Sequence, residues 1–153
     1  MKKLIAICLL ITASYSVKAQ TLEQTMDYIN VNLQNYLVHK KYIQVFAKGI
    51  DETNSTWANT LSERNNFTRL FMAYIKSVDY FVNSDGFVII TATGKCYVFE
   101  SEKPLYDKVA PQSIKLILEK NTPIENVKRI IKAMKHAAEL EGAKLINDDL
   151  FKN

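Results

Sequence analysis

The spacing of apolar residues changes twice along this chain, and that change limits what the chain can fold into. Leu22, Met26, Ile29, Leu33 and Leu37 recur at intervals of three or four near the start. Ile124, Val127, Ile130, Ile131, Met134 and Ala138 do the same near the end. Each set makes one stripe along an α-helix. Between them the period drops to two, with Ile43, Val45 and Ala47 on one side of a strand and Ile114, Leu116 and Leu118 on one side of another. Alternation of that kind belongs to strands with two different faces.

Turn and cap residues sharpen these boundaries. Thr21 is a good N-cap, and Gln24 stands at the capping-box spacing behind it. The first helix is expected from Leu22 to Leu37 and the first strand from Tyr42 to Lys48. Asp51 to Asn66 is rich in Asn, Ser and Thr and reads as a loop with a short strand near Trp57 to Leu61. Phe67 to Val82 is too long for one flat strand and reads as a long strand with a bend or bulge at Lys76-Ser77. Asn83 to Gly86 is a turn by composition. Phe87–Thr93 and Cys96–Glu100 are expected to pair as a hairpin through Gly94. A proline-containing loop, Ser101 to Pro111, leads to a strand at Ser113–Glu119. Thr122-Pro123-Ile124-Glu125 offers an N-cap, a first-turn proline and an acid at N3. Gly142 is placed to end that helix, and Ala143 to Asn153 forms a tail.

Helix, strands joined by short turns, and helix make an α+β class with an antiparallel sheet. The expected architecture is an N-terminal helix, a strongly bent antiparallel sheet of five to seven strands, and a C-terminal amphipathic helix closing one end. In element order it is similar to pleckstrin-homology-like barrels. The alternative is an open antiparallel sheet with both helices on one face. No repeat or linker divides the chain, so residues 20–153 are expected to form a single domain.

The first nineteen residues read as a signal peptide. Lys2 and Lys3 are basic, Leu4 to Ala13 are apolar, and Val17-Lys18-Ala19 suits cleavage before Gln20. The apolar run is too short for a bilayer, which needs about 20 residues. No transmembrane segment is therefore expected after cleavage. Ile7 precedes Cys8, which departs from a lipidation signal. The expected location is periplasmic or secreted.

Cleavage removes Lys2, Lys3 and Lys18 and no acid. The 20 Lys and Arg then fall to 17, against 16 Asp and Glu, for a net charge of +1. That balance gives no general attraction to phosphate backbones, and nucleic acid is not an expected partner. Cys96 is the one cysteine left, so no internal disulfide is expected and the core must hold the fold. Its setting, Cys96-Tyr97-Val98-Phe99, reads as a buried strand.

Thr21-Leu22-Glu23-Gln24-Thr25-Met26-Asp27-Tyr28-Ile29-Asn30 and Ile131-Lys132-Ala133-Met134-Lys135-His136-Ala137-Ala138 carry a resemblance to a loose group of small exported proteins of Gram-negative bacteria with no assigned function. The resemblance implies an exported α+β domain and brings no catalytic residues with it.

The motifs of chemistry are sparse. His136 and Glu139 stand three apart on one helix, with no third zinc ligand at a recognisable spacing. Asp148-Asp149 reads as a solvated pair. No Gly-rich phosphate loop or nucleophile elbow occurs. No catalytic residue, metal ligand or cofactor is expected. Tyr42, Phe46, Tyr74, Tyr80 and Phe81 read as core and cross-strand aromatics. Trp57, in a polar loop, is the expected contact residue. The leading expectation is an exported, non-catalytic binding or interaction module for a protein or small-molecule ligand of unknown identity. The alternatives are a small periplasmic enzyme assembled from Asp79, Tyr80 and His136, or a component of an envelope complex.

Overall fold

The computed structural model describes residues 21–53, 66–100, 103–104 and 112–146. Helix α1 spans Leu22–Tyr36. Thr21 and Gln24 form the expected capping box, with Gln24 N–H donating to Thr21 Oγ1 and Thr21 N–H to Gln24 Oε1. A short 3₁₀ turn, Lys40–Tyr42, leads into β1 at Ile43–Phe46. The remaining strands are β2, Gly49–Thr53; β3, Asn66–Val82; β4, Val88–Glu100; β5, Lys103–Pro104; and β6, Ser113–Leu118. Helix α2, Ile124–Leu140, closes the described chain. No described helix is long and apolar enough to cross a membrane.

The class is α+β: an N-terminal helix, an open antiparallel sheet and a C-terminal helix in chain order. The strands run in the order β1-β2-β3-β4-β5, and β6 pairs with β4 alongside them. The expected strong bend is not found. Its physical reason lies at the edge of β6, where Leu37 bridges Leu118, and Val38 N–H donates to Ile117 O. The end of α1 therefore occupies the side of β6 that β1 would need for closure.

Two local expectations also change. Asp51–Thr53 belongs to a strand, because Phe46 pairs with Gly49 across a tight turn and β2 then runs to Thr53. Gly94 is not a hairpin turn but lies inside β4. Leu70 pairs with Cys96 and Ser77 with Thr93, so β3 takes seven residue steps where β4 takes three. The excess bulges over Gly94, where an added Cβ would lie 2.2 Å from Tyr74 O. Glycine is needed there for close backbone approach. The bulge in β3 falls in this stretch and reaches Lys76-Ser77, where the sequence suggests a bend or bulge.

The start of α2 shifts by one residue. Pro123 is the N-cap, while Thr122 turns its hydroxyl onto Glu119 O. The end is as expected: Gly142 has φ +83°, Gly142 N–H donates to Glu139 O, and Ala143 N–H to Ala138 O. That is a Schellman termination.

One aliphatic core joins both helices to one face of the sheet. It contains Met26, Ile29 and Leu33 from α1; Ile130 and Met134 from α2; and Ile50, Leu70, Ile90 and Leu116 from the strands. Cys96 is buried among them and unpaired. Among the described residues, no aromatic ring belongs to the buried set; Tyr36 and Tyr80 pack only at its margin.

Candidate functional site

The rings lie instead on the face of the sheet turned away from the helices. Strand alternation puts them there. Leu70 and Met72 point to the core, so Phe67, Arg69 and Phe71 between and before them point out. On β4 the same parity sends Cys96 inward and Lys95, Tyr97 and Phe99 outward. Cross-strand register then aligns Asp51, Arg69 and Tyr97 in one row and Phe67 with Phe99 in the next.

Arg69 is the centre of this face. Its Nε and Nη2 donate to the two carboxylate oxygens of Asp51, each at 2.8 Å. The guanidinium also lies 4.4 Å from the Phe46 ring centroid, 4.8 Å from Phe99 and 5.1 Å from Phe67. Phe67 and Phe99 stack at 4.9 Å with their planes 3° apart. Rings and carboxylate together satisfy a planar cation by π contact and bidentate hydrogen bonding. The Asp51 hydrogen bonds hold the Arg69 pKa above its ordinary value. Gly49 makes room for the Phe46 ring, since an added Cβ would meet Phe46 Cζ at 2.6 Å.

Beyond Arg69 the surface opens to solvent. Phe71 meets Tyr74 edge-on at 6.1 Å and Tyr97 at 5.9 Å. Tyr74 is 45% exposed. The Lys95 ammonium hangs 5.0 Å over the Tyr97 ring and 6.0 Å over Tyr74. A hydrogen bond to the Tyr97 hydroxyl raises the Lys95 pKa. The result is a wall of rings whose outer end carries an exposed cation and two phenols. Such a surface can hold apolar or planar groups and attract negative charge.

Trp57, the expected contact residue, lies outside the described residues. Its segment joins β2 to β3 and so connects the two strands that carry Asp51 and Arg69. The reading of Tyr74 and Phe81 as core aromatics is overturned, because both are exposed and the helices cover only the other face. The sequence did hold a signal for this surface: Phe67-Arg69-Phe71 and Lys95-Tyr97-Phe99 alternate with buried residues. Which of the two alternating sets faces the helices is a matter of packing that the alternation alone does not give.

Grooves also lie elsewhere. Asp79, Tyr80 and His136 do line one groove, of 530 Å³, between β3 and α2, together with Lys128, Lys132 and Glu139. Among the described residues no hydrogen bond joins the side chains of Asp79, Tyr80 and His136, and Asp79 is exposed. Another groove, of 580 Å³, lies between β2 and β6 and includes His39, Glu52 and Lys115. Burial pushes the Glu52 carboxyl above the usual range, and a hydrogen bond from the Lys115 backbone partly offsets this. Behind it, burial and the Glu52 charge push the Cys96 thiol up to about 11. Among the described residues no three of His, Cys, Asp or Glu converge as metal ligands.

Comparison of the chain with protein-family models, with curated proteins and with solved structures finds no match.

Proposed function

We propose that this is an exported, non-catalytic binding module whose contact surface is the outer face of its sheet. The observation that carries the reading is the segregation of rings: the core is aliphatic, while Phe71, Tyr74 and Tyr97 gather on the face that neither helix covers. Apolar surface left toward water marks interaction sites, and aromatic and arginine side chains concentrate binding energy at them. Lys95 and the outward phenols favour a partner that brings apolar groups flanked by acids. The N-terminal sequence, read as a signal peptide, supports an encounter in the periplasm or outside the cell.

Photocrosslinking in the producing cell tests this without knowledge of the partner. A benzophenone side chain replacing Tyr74 should give a discrete adduct. The same group replacing Val31, which is exposed on α1, should not. Equal adducts at both positions, or none at Tyr74, would remove the sheet face as the contact surface.

A second reading, a small enzyme, draws on the groove that brings Asp79, Tyr80 and His136 together. Catalysis needs such groups within hydrogen-bond reach of each other or of a substrate. It predicts a turnover that His136→Ala abolishes while leaving the Tyr74 adduct intact.

A further inference from the structure

Among the described residues, β3 has a strand partner on one side only from the end of β2 onward. β2 pairs with Phe67 to Phe71, and β4 runs on to Val82. The direction of the remaining backbone groups follows from the hairpin. Asn83 N–H donates to Phe87 O, so Ser77, Asp79 and Phe81 turn toward β4, two residues at a time. Val78, Tyr80 and Val82 therefore turn their N–H and C=O groups to the open edge. The side chains of Phe81 and Val82 there are 49% and 52% exposed. Open edges of this kind accept further strands.

The chain itself already reaches this edge. Ile146 N–H donates to Lys76 O at 2.8 Å, and Leu145 packs against the core. Its direction is fixed by two anchors. Glu141 pairs with Lys48, whose carbonyl receives Met72 N–H. The chain is thus tied toward the Lys48 end of β3 at residue 141 and meets Lys76 at residue 146, the direction in which β3 runs. Beside the edge, α2 presents Lys128, Lys132 and Lys135 along the groove.

We propose that the edge from Val78 to Val82 is a strand-docking site whose occupant is the chain's own segment Asn147-Asp148-Asp149-Leu150-Phe151, added parallel to β3. Continuing the bond from Ile146 to Lys76 in a parallel ladder pairs Asp148 N–H with Val78 O and Leu150 N–H with Tyr80 O. Tyr80 N–H then donates to Asp148 O, and Val82 N–H to Leu150 O. Alternation from Leu145 sends Asp149 to the α2 side, where Lys128 and Lys132 supply opposite charge. Leu150 falls on the other side, beside the exposed Phe81 ring. The segment joins acid to apolar residues in the order that the edge offers base and exposed ring. The docked segment blocks edge-to-edge pairing between copies, and this role is independent of the aromatic face.

Amide hydrogen exchange on the full exported chain, read by NMR, tests the proposal. The Tyr80 and Val82 amides should exchange at least about tenfold more slowly than open amides, at any protein concentration. Asp148→Pro removes a donor aimed at β3 and should abolish that protection. Asp149→Pro removes one aimed away and should leave it in place. Fast exchange in the parent, equal effects of the two prolines, or protection that grows with protein concentration would each overturn it. The last result would assign the edge to a second copy.

Discussion

Arg69 and Asp51 face each other across β3 and β2 through two parallel hydrogen bonds of 2.8 Å, and phenylalanine rings enclose the guanidinium. The pair is partly shielded, so it should exceed an open surface ion pair, which contributes about 0–1 kcal/mol. Arg69→Ala is expected to lose about 1–3 kcal/mol, from charge-assisted bonds and ring contacts together. Arg69→Lys should recover little, because an ammonium cannot form the planar fork. Urea denaturation of the two variants measures this. An Arg69→Lys variant as stable as the parent would show that the fork and the rings contribute nothing specific.

Gly94 should be the least replaceable glycine. A Cβ there would collide with the Tyr74 carbonyl at 2.2 Å, inside a paired strand on both sides. Gly94→Ala should cost more than about 3 kcal/mol, or fail to fold. Gly142 needs its positive φ but has nothing within 4 Å of an added Cβ. Gly142→Ala should cost only about 1 kcal/mol. Thermal melts of both variants separate a steric requirement from a dihedral one.

The contrast between these glycines also explains what was legible in the sequence. Gly142 was readable because its use is local: a helix stripe ends and a left-handed residue follows. Gly94 was misread because its use is tertiary, the passage of Tyr74 over it. The capping box at Thr21 and Gln24 and the alternation of Ile114, Leu116 and Leu118 were readable for the same local reason. Closure of the sheet was not, since it depends on Leu37 and Val38 reaching β6 from the end of α1. The outer face was half legible. Its alternation is printed in Phe67-Arg69-Phe71, but which face the helices cover is a fact of packing.

Glu52 gives the fold a pH dependence of known sign. Its carboxyl titrates above 4.5 in the folded chain because of burial. The folded state therefore holds a proton that the unfolded state has released, and stability falls as pH rises through that window. Above the folded-state value the loss is complete. Glu52→Gln keeps an acceptor for the Lys115 backbone N–H and removes the charge. It should match or exceed the parent at pH 7 and lose its advantage below pH 4.5. Urea midpoints at the two pH values test this; a Glu52→Gln variant less stable at pH 7 would contradict it.

Cys96 should be chemically silent in the native protein. With the thiol pushed up to about 11 and the side chain buried, little thiolate exists at pH 8 to attack a reagent. Iodoacetamide should label it only as fast as the chain unfolds, and labelling should quicken in urea. The same raised value predicts stability falling as pH climbs from 9 toward 11, because the unfolded thiol ionises first. Rapid native labelling at pH 8 would show the site to be open.

The proposed role of the outer face of the sheet is contact and not holding the fold. It is tested most directly by Tyr97→Ser and Lys95→Glu in a chain carrying the benzophenone group in place of Tyr74. Both residues lie within 6.0 Å of Tyr74 by ring or cation contact. Each variant should melt within a few degrees of the parent, as outward-facing substitutions do, while the adduct at position 74 falls severalfold. Unchanged adduct yield, or a collapse in melting temperature that accounts for its loss, would contradict it.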